Sequence, residues 1–152
     1  MIYKSILFAF FAFLVALPAL SQSEEEEVKA VIQSLFDGMR AKNADQIAGA
    51  FSEDAIMQTI VTTGEVGEVK AGSVSEFVKG ISSLPADTDL DEKITDYQIQ
   101  VDGVMATAWT PYEFYFNGKF SHCGVNSFQL VKLTAGWKIV YIIDTRRKED
   151  CI

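Results

Sequence analysis

One histidine, His122, stands beside a cysteine in the run Phe120-Ser121-His122-Cys123-Gly124-Val125-Asn126. A lone imidazole is well suited to exchanging a proton near neutral pH, and a carboxylate within reach would tune it. What it can do depends on which side chains share its face. Asn117-Gly118 between two apolar runs signals a two-residue hairpin loop. Pairing Phe116 with Lys119 then sets Tyr115 against Phe120 and Glu113 against His122. Side chains alternate along a strand. Phe120, His122, Gly124, Asn126, Phe128 and Leu130 therefore share one face, and Ser121, Cys123, Val125, Ser127, Gln129 and Val131 the other. The first set holds the large apolar residues and is predicted to face the core. In the last strand, a solvated Lys138 would turn Trp137, Ile139, Tyr141, Ile143 and Thr145 inward, which places Tyr141 beside Phe128. Pro111 implies an edge or a bulge before it.

These assignments gather Trp109, Glu113, Tyr115, Phe120, His122, Asn126, Phe128 and Tyr141 around one hollow. Asp54, at the handover from a helix to the first strand, is a further candidate at its mouth. Glu113 opposite His122 would raise the His pKa and lower its own. Two readings are open: a hydrogen-bonded core network without a ligand, or a ligand pocket. Asn126 and Tyr141 pointing the same way favour the pocket. In a catalytic version His122 is the acid/base, with Glu113 tuning it and Tyr115 or Tyr141 steadying a developing oxyanion. Cys123 falls on the opposite face, which argues against a Cys–His nucleophile. One His and two Cys give no metal-ligand cluster, and no cofactor is expected.

The rest of the chain must position that face. Val28, Val31, Ile32, Leu35, Phe36 and Met39 recur at helical spacing, predicting a helix over residues 24–42 with Ser23 as its N-cap. Its Glu24–Glu27 run suits the helix macrodipole. Asn43 caps a second helix to about Phe51. Residues 55–62 read as a strand, followed by a turn and a short strand around Val69. Ser73-Val-Ser-Glu76 is a capping box that opens a third helix, stopped at Pro85. From Glu92 the pattern is strand to the end: residues 94–101, an Asp102-Gly103 hairpin, 104–116, 119–133 and 137–146. Helices followed by a meander predict an α+β roll, a curved, mostly antiparallel sheet wrapped around N-terminal helices.

Residues 1–21 read as a secretory signal peptide. Lys4 supplies the positive end, Ile6–Leu20 the apolar run, and Ala19-Leu20-Ser21 a small-residue cleavage site. The mature domain would span residues 22–152 and be periplasmic or secreted, with no membrane association after cleavage. It keeps 12 Lys+Arg against 21 Asp+Glu, a formal charge of −9, which repels nucleic acid and anionic lipid. Arg146-Arg147-Lys148 and Glu24–Glu27 read as solvated ends. Cys123 and Cys151 either form a disulfide, as an oxidising compartment favours, or remain one buried and one terminal thiol.

Taken together, a strand opening on Glu-Asp-Ala (residues 53–55), the Val-Asp-Gly hairpin (101–103), His122-Cys-Gly-Val-Asn-Ser-Phe-Gln-Leu-Val-Lys132 and Gly136-Trp-Lys-Ile-Val-Tyr-Ile-Ile-Asp-Thr145 resemble the nuclear transport factor 2-like superfamily. Secreted bacterial SnoaL-like and lumazine-binding-like members are the most similar. The resemblance implies a cone-shaped roll with a deep hydrophobic pocket, and a homodimer through the outer sheet face. Catalytic relatives imply Asp, His, Tyr or Arg sets in the pocket, of which this chain matches only the strand His122. Three functions follow. The first is a secreted binder of a small hydrophobic or aromatic molecule. The second is a cofactor-free isomerase or dehydratase using His122. The third is a non-catalytic accessory domain.

Overall fold

The computed structural model describes residues 23–63 and 65–151. The leader expected over residues 1–21 lies outside them. Among the described residues three helices, α1 (Glu24–Ala41), α2 (Ala44–Gly49) and α3 (Val74–Ser82), accompany seven strands. The strands are β1 (Phe51–Thr63), β2 (Val66–Gly72), β3 (Leu90–Ile94), β4 (Gln98–Asp102), β5 (Met105–Phe116), β6 (Lys119–Leu133) and β7 (Gly136–Thr145). The sheet order is β2-β1-β7-β6-β5-β3, with β4 following β3 along the same edge of β5. Only β1 and β7 run parallel; every other pair is antiparallel. This is the α+β roll that the element pattern predicts.

The helices begin where their caps dictate. Ser23 accepts from the Glu26 amide at 3.3 Å, Asn43 from Gln46 at 3.1 Å and Ser73 from Glu76 at 3.4 Å, each satisfying an amide that a helix start leaves open. The apolar stripe of α1 buries Val28, Ile32, Leu35, Phe36 and Met39 against Ala106, Ala108, Phe128, Leu130, Trp137 and Ile139. Phe36 meets Phe128 edge to face at 6.4 Å. The first turn of α1 is not merely solvated. Glu24 accepts from Lys132 Nζ at 2.7 Å and Trp137 Nε1 at 2.9 Å, stapling the helix start to β6 and β7.

Several boundaries differ from the sequence reading. The second helix stops at Gly49, and Phe51 already opens β1. The single strand expected over 94–101 is two, because Asp96 draws the Tyr97 amide (2.9 Å) and the Gln98 side chain (3.1 Å) to its own carboxylate. The hairpin loop after β4 is Gly103-Val104, one residue later than expected, closed by Asp102 pairing with Met105. Pro111 causes no bulge. Its register with Val125 is continuous, and its carbonyl accepts from Thr95 at 2.9 Å. The nitrogen lies on that same edge, in the gap between β3 and β4, where no ladder bond is lost.

Two bulges elsewhere decide which side chains face inward. The Asn117-Gly118 turn forms as read, with φ of 50° and 70°, and Phe116 pairs with Lys119 and Tyr115 with Phe120. Ser121 is then the extra residue, so Phe114 pairs with His122, Glu113 with Cys123 and Tyr112 with Gly124. In β7 the extra residue is Val140: Gln129 pairs with Tyr141, but Leu130 pairs with Ile139. A bulge of one residue exchanges the faces on either side of it.

Candidate functional site

The inner face of the sheet and helices α1 and α3 enclose a cavity of about 410 Å³. Its apolar walls are Leu35, Phe36 and Met39 of α1, Phe77 and Ile81 of α3, with Met57, Phe114 and Ile142 from the strands. Polar groups collect along the strand side: Thr59, Glu92, Tyr112, His122, Asn126, Asp144 and Arg146.

Glu92 and Asn126 are central to that polar group. Asn126 is 4% exposed, and its amide donates to Glu92 Oε1 at 2.8 Å. Glu92 sits on β3 between inward-facing Leu90 and Ile94 and pairs with Phe114. Burial pushes its carboxyl up to about 7; the nearby Asp144 charge adds to the shift, while the Asn126 hydrogen bond and Arg146 oppose it. Asp144 takes Arg146 Nε at 2.8 Å. Burial works against the Arg146 charge, yet the hydrogen bonds and charge of Asp144 raise its pKa on balance.

His122 stacks against Phe114 at 5.1 Å and meets Tyr112 edge-on at 5.8 Å, with Ser121 Oγ 3.0 Å from Nδ1. Burial first, then the Arg146 charge, lowers its pKa. The imidazole is therefore neutral at pH 7, the reverse of the shift expected from a Glu113 partner. Tyr112 donates to the Thr145 carbonyl at 3.0 Å; burial, and then the charges of Glu92 and Asp144, hold its hydroxyl well above the usual tyrosine range. Thr59 Oγ1 is buried with no hydrogen-bond partner among the described residues.

The end of β7 is held down from outside the cavity. Gly124 faces the Thr145 carbonyl so closely that a Cβ there would overlap it and press on Tyr112. Beyond it, Cys123 and Arg147 exchange both backbone hydrogen bonds, at 2.9 and 2.8 Å. The Sγ atoms of Cys123 and Cys151 are bonded at 1.98 Å, with Cα atoms 5.8 Å apart. This strap carries Asp144 and Arg146 into the cavity wall.

The bulges redistribute the residues that the sequence reading brought together. His122 and Asn126 line the cavity, and Phe128 lies inward beneath it in the core. Glu113 and Tyr115 lie on the outer face: the Tyr115 hydroxyl donates to Glu113 at 2.8 Å, and Lys93 sits 4.3 Å over the ring. Phe120 packs on Tyr115 at 5.8 Å, on that same side. Trp109 is also on the outer face, 48% exposed. Tyr141 follows it there because of Val140 and donates to Gln58 at 2.6 Å; Phe128 instead pairs with Ile142. Asp54 is exposed within the irregular start of β1 and does not line the cavity. Glu113 is thus no partner for His122.

Glu92, Tyr112, Asp144, Arg146 and Thr59 were not anticipated. For Glu92 a signal existed: Leu90-Asp-Glu92-Lys-Ile94 puts the carboxylate two residues from an apolar neighbour on each side. Arg146 is solvated, as its place in the basic end implies, with 59% of its side chain exposed, and it also lines the cavity. Among the described residues no three His, Cys, Asp or Glu side chains converge to hold a metal ion, and no helix is long and apolar enough to cross a membrane.

Thr59, Glu92, Tyr112, His122 and Asn126 lie within the segment that defines the chain's family, and Asp144 and Arg146 lie just beyond it. Residues 23–142 match the family described as putative lumazine-binding, and the chain belongs to it. Solved structures agree on the fold. A nuclear transport factor 2-like protein with a cystatin-like fold from Novosphingobium aromaticivorans is 16% identical, with 84% of each chain covered and a TM-score of 0.66. A putative dehydratase of the nuclear transport factor 2-like family from Streptomyces avermitilis is 15% identical, covering 82% of this chain and 96% of that one, at 0.62. A nuclear transport factor 2-like protein of unknown function from Shewanella baltica is 16% identical, covering 83% and 95%, at 0.61. No curated protein matches the chain. The chain therefore has the fold of these nuclear transport factor 2-like proteins.

Proposed function

We propose that this chain is a secreted small-molecule-binding domain. Its ligand would place an apolar or aromatic body among Phe36, Phe77, Phe114 and Ile142 and a polar edge against Glu92 and Asn126. One observation carries this reading. Polar groups with spare hydrogen-bonding capacity, including the unpartnered Thr59 hydroxyl, converge at one end of an otherwise apolar cavity. A folded core leaves few such groups without a partner, and a volume of about 410 Å³ is in the ordinary range for ligand sites. The family description adds support for a planar heteroaromatic ligand. A thermal-shift screen of aromatic and pteridine-like compounds tests the reading. Hits are expected to raise the melting temperature of the wild type and to lose the effect in Ile81→Trp, which fills the cavity. Hits that stabilise Ile81→Trp equally would contradict it.

A second reading is a cofactor-free isomerase or dehydratase. The observation favouring it is Glu92, a carboxyl in an apolar cavity with its pKa near the working pH. Glu92 rather than His122 would then move the proton, and His122 would act as a neutral donor.

Export by the leader is part of the proposal, supported by the bonded Cys123 and Cys151. Intact-mass measurement of the exported protein should show a chain beginning at Gln22; a chain retaining Met1 would contradict it.

A further inference from the structure

We propose that the ligand of this cavity is an organic ammonium ion: an amine on an aromatic or apolar body, its nitrogen paired with Glu92. The inference rests on the binding reading and adds the charge of the head group to it.

Glu92 is the cavity's one carboxyl without a cation of its own. Asp144 has Arg146 at 2.8 Å, whereas the only hydrogen-bond partner of Glu92 among the described residues is the neutral amide of Asn126. The other groups around it do not neutralise it. Burial and the Arg146 charge disfavour the cation of His122, facing from β6, and Tyr112, facing from β5, keeps its proton. The α1 and α3 walls, Leu35, Phe36, Met39, Phe77 and Ile81, bring no charge. With Glu92 ionised, the cavity wall carries one net negative charge. A charge withdrawn from water calls for a partner, and among the described residues no cation bonds to Glu92; Arg146 acts on it through its charge alone while bonded to Asp144.

The surroundings suit a cation. The rings of Tyr112, Phe114 and His122 gather at the polar end, 5.1 to 5.8 Å apart, and aromatic faces attract ammonium groups. The chain's formal charge of −8 draws cations toward it. A carboxylate ligand would add a negative charge beside Asp144 and Glu92. A neutral ligand would leave the Glu92 proton in place.

Tryptamine, tryptophol and indoleacetate share one ring system and differ in head-group charge. Their binding to the full mature protein, disulfide intact, would be measured by isothermal titration calorimetry at about pH 8 and about pH 6, in two buffers of different ionisation heat. The expected result is tryptamine binding roughly tenfold or more tighter than tryptophol at the higher pH. That advantage should shrink as pH falls through the Glu92 titration, with about one proton released per amine bound at the lower pH. Glu92→Gln, isosteric and neutral, should remove both the preference and the proton release. Tighter binding of tryptophol or indoleacetate at both pH values would overturn the inference and leave the cavity reading standing. So would an amine preference that survives Glu92→Gln. If none of the three binds, in calorimetry or as shifts of the Phe77 and Ile142 amide resonances, both readings fall.

Discussion

Ionising Glu92 costs the unliganded folded chain free energy, because burial withdraws its carboxylate from water and the Asn126 hydrogen bond and the Arg146 charge compensate only in part. The folded carboxyl titrates near 7, against an ordinary value of 4.5. Below the ordinary value both folded and unfolded chains hold the proton, and the stabilisation is fully present. Between the two values the folded chain keeps a proton that the unfolded chain releases, so stability falls as pH rises, by at most about 3 kcal/mol in all. Urea denaturation of the unliganded protein between about pH 5 and pH 8 should show this decline, and Glu92→Gln should remove it. A wild-type stability that rises across the interval would contradict the assignment. His122 contributes in the opposite sense. Its lowered pKa means the folded state favours the neutral form, so acid below the usual histidine range destabilises it.

At the scale of elements, two single-residue bulges account for most of what the sequence did not disclose. Helices, caps, hairpin turns and the order of strands follow from periodicity and from Ser23, Asn43, Ser73 and Asn117-Gly118. His122 and Asn126 were legible as inward residues because Phe128 and Leu130 share their parity without interruption. The face of Glu113 and Tyr115 was not. Ser121 carries no glycine or proline signal, and apolar residues stand on both sides of the strand near it. Val140 is equally silent: Tyr141 and Ile143 alternate with Val140 and Ile142, so a slip leaves no polar residue visibly misplaced. Asp144 and Arg146 entered the cavity wall through that slip and through the strap behind it. Gly124→Ala should cost roughly 2–4 kcal/mol in chemical denaturation, since its Cβ would overlap the Thr145 carbonyl. Cys151→Ser, which opens a loop with a sequence separation of 28, should cost about 2–4 kcal/mol. Free-thiol titration of the folded wild type should find no reactive thiol; two would contradict the bond.

For the whole molecule, the same bulges that clear the cavity load the outer face. Trp109 (48% exposed), Met105 (50%) and Phe120 (44%) stand on it, beside Tyr115 and Lys93. Apolar surface of this kind commonly marks an interface. We propose that two copies pair across it. Wild-type protein should sediment as a dimer at micromolar concentration, and Trp109→Glu with Phe120→Glu should give a folded monomer. A wild type that sediments only as a monomer would contradict the pairing. The cavity lies against the opposite, inner face of the sheet, so a pairing of this kind would not cover that wall.

The enclosure of Glu92 beside Asn126 is the central claim, since both the ligand site and its charge preference depend on it. Side-chain carbonyl ¹³C NMR of the unliganded protein, followed across a pH titration and assigned with Glu92→Gln, measures it directly. A Glu92 midpoint near 7 is the predicted result. A midpoint near 4.5, the value of a solvated glutamate, would contradict the account.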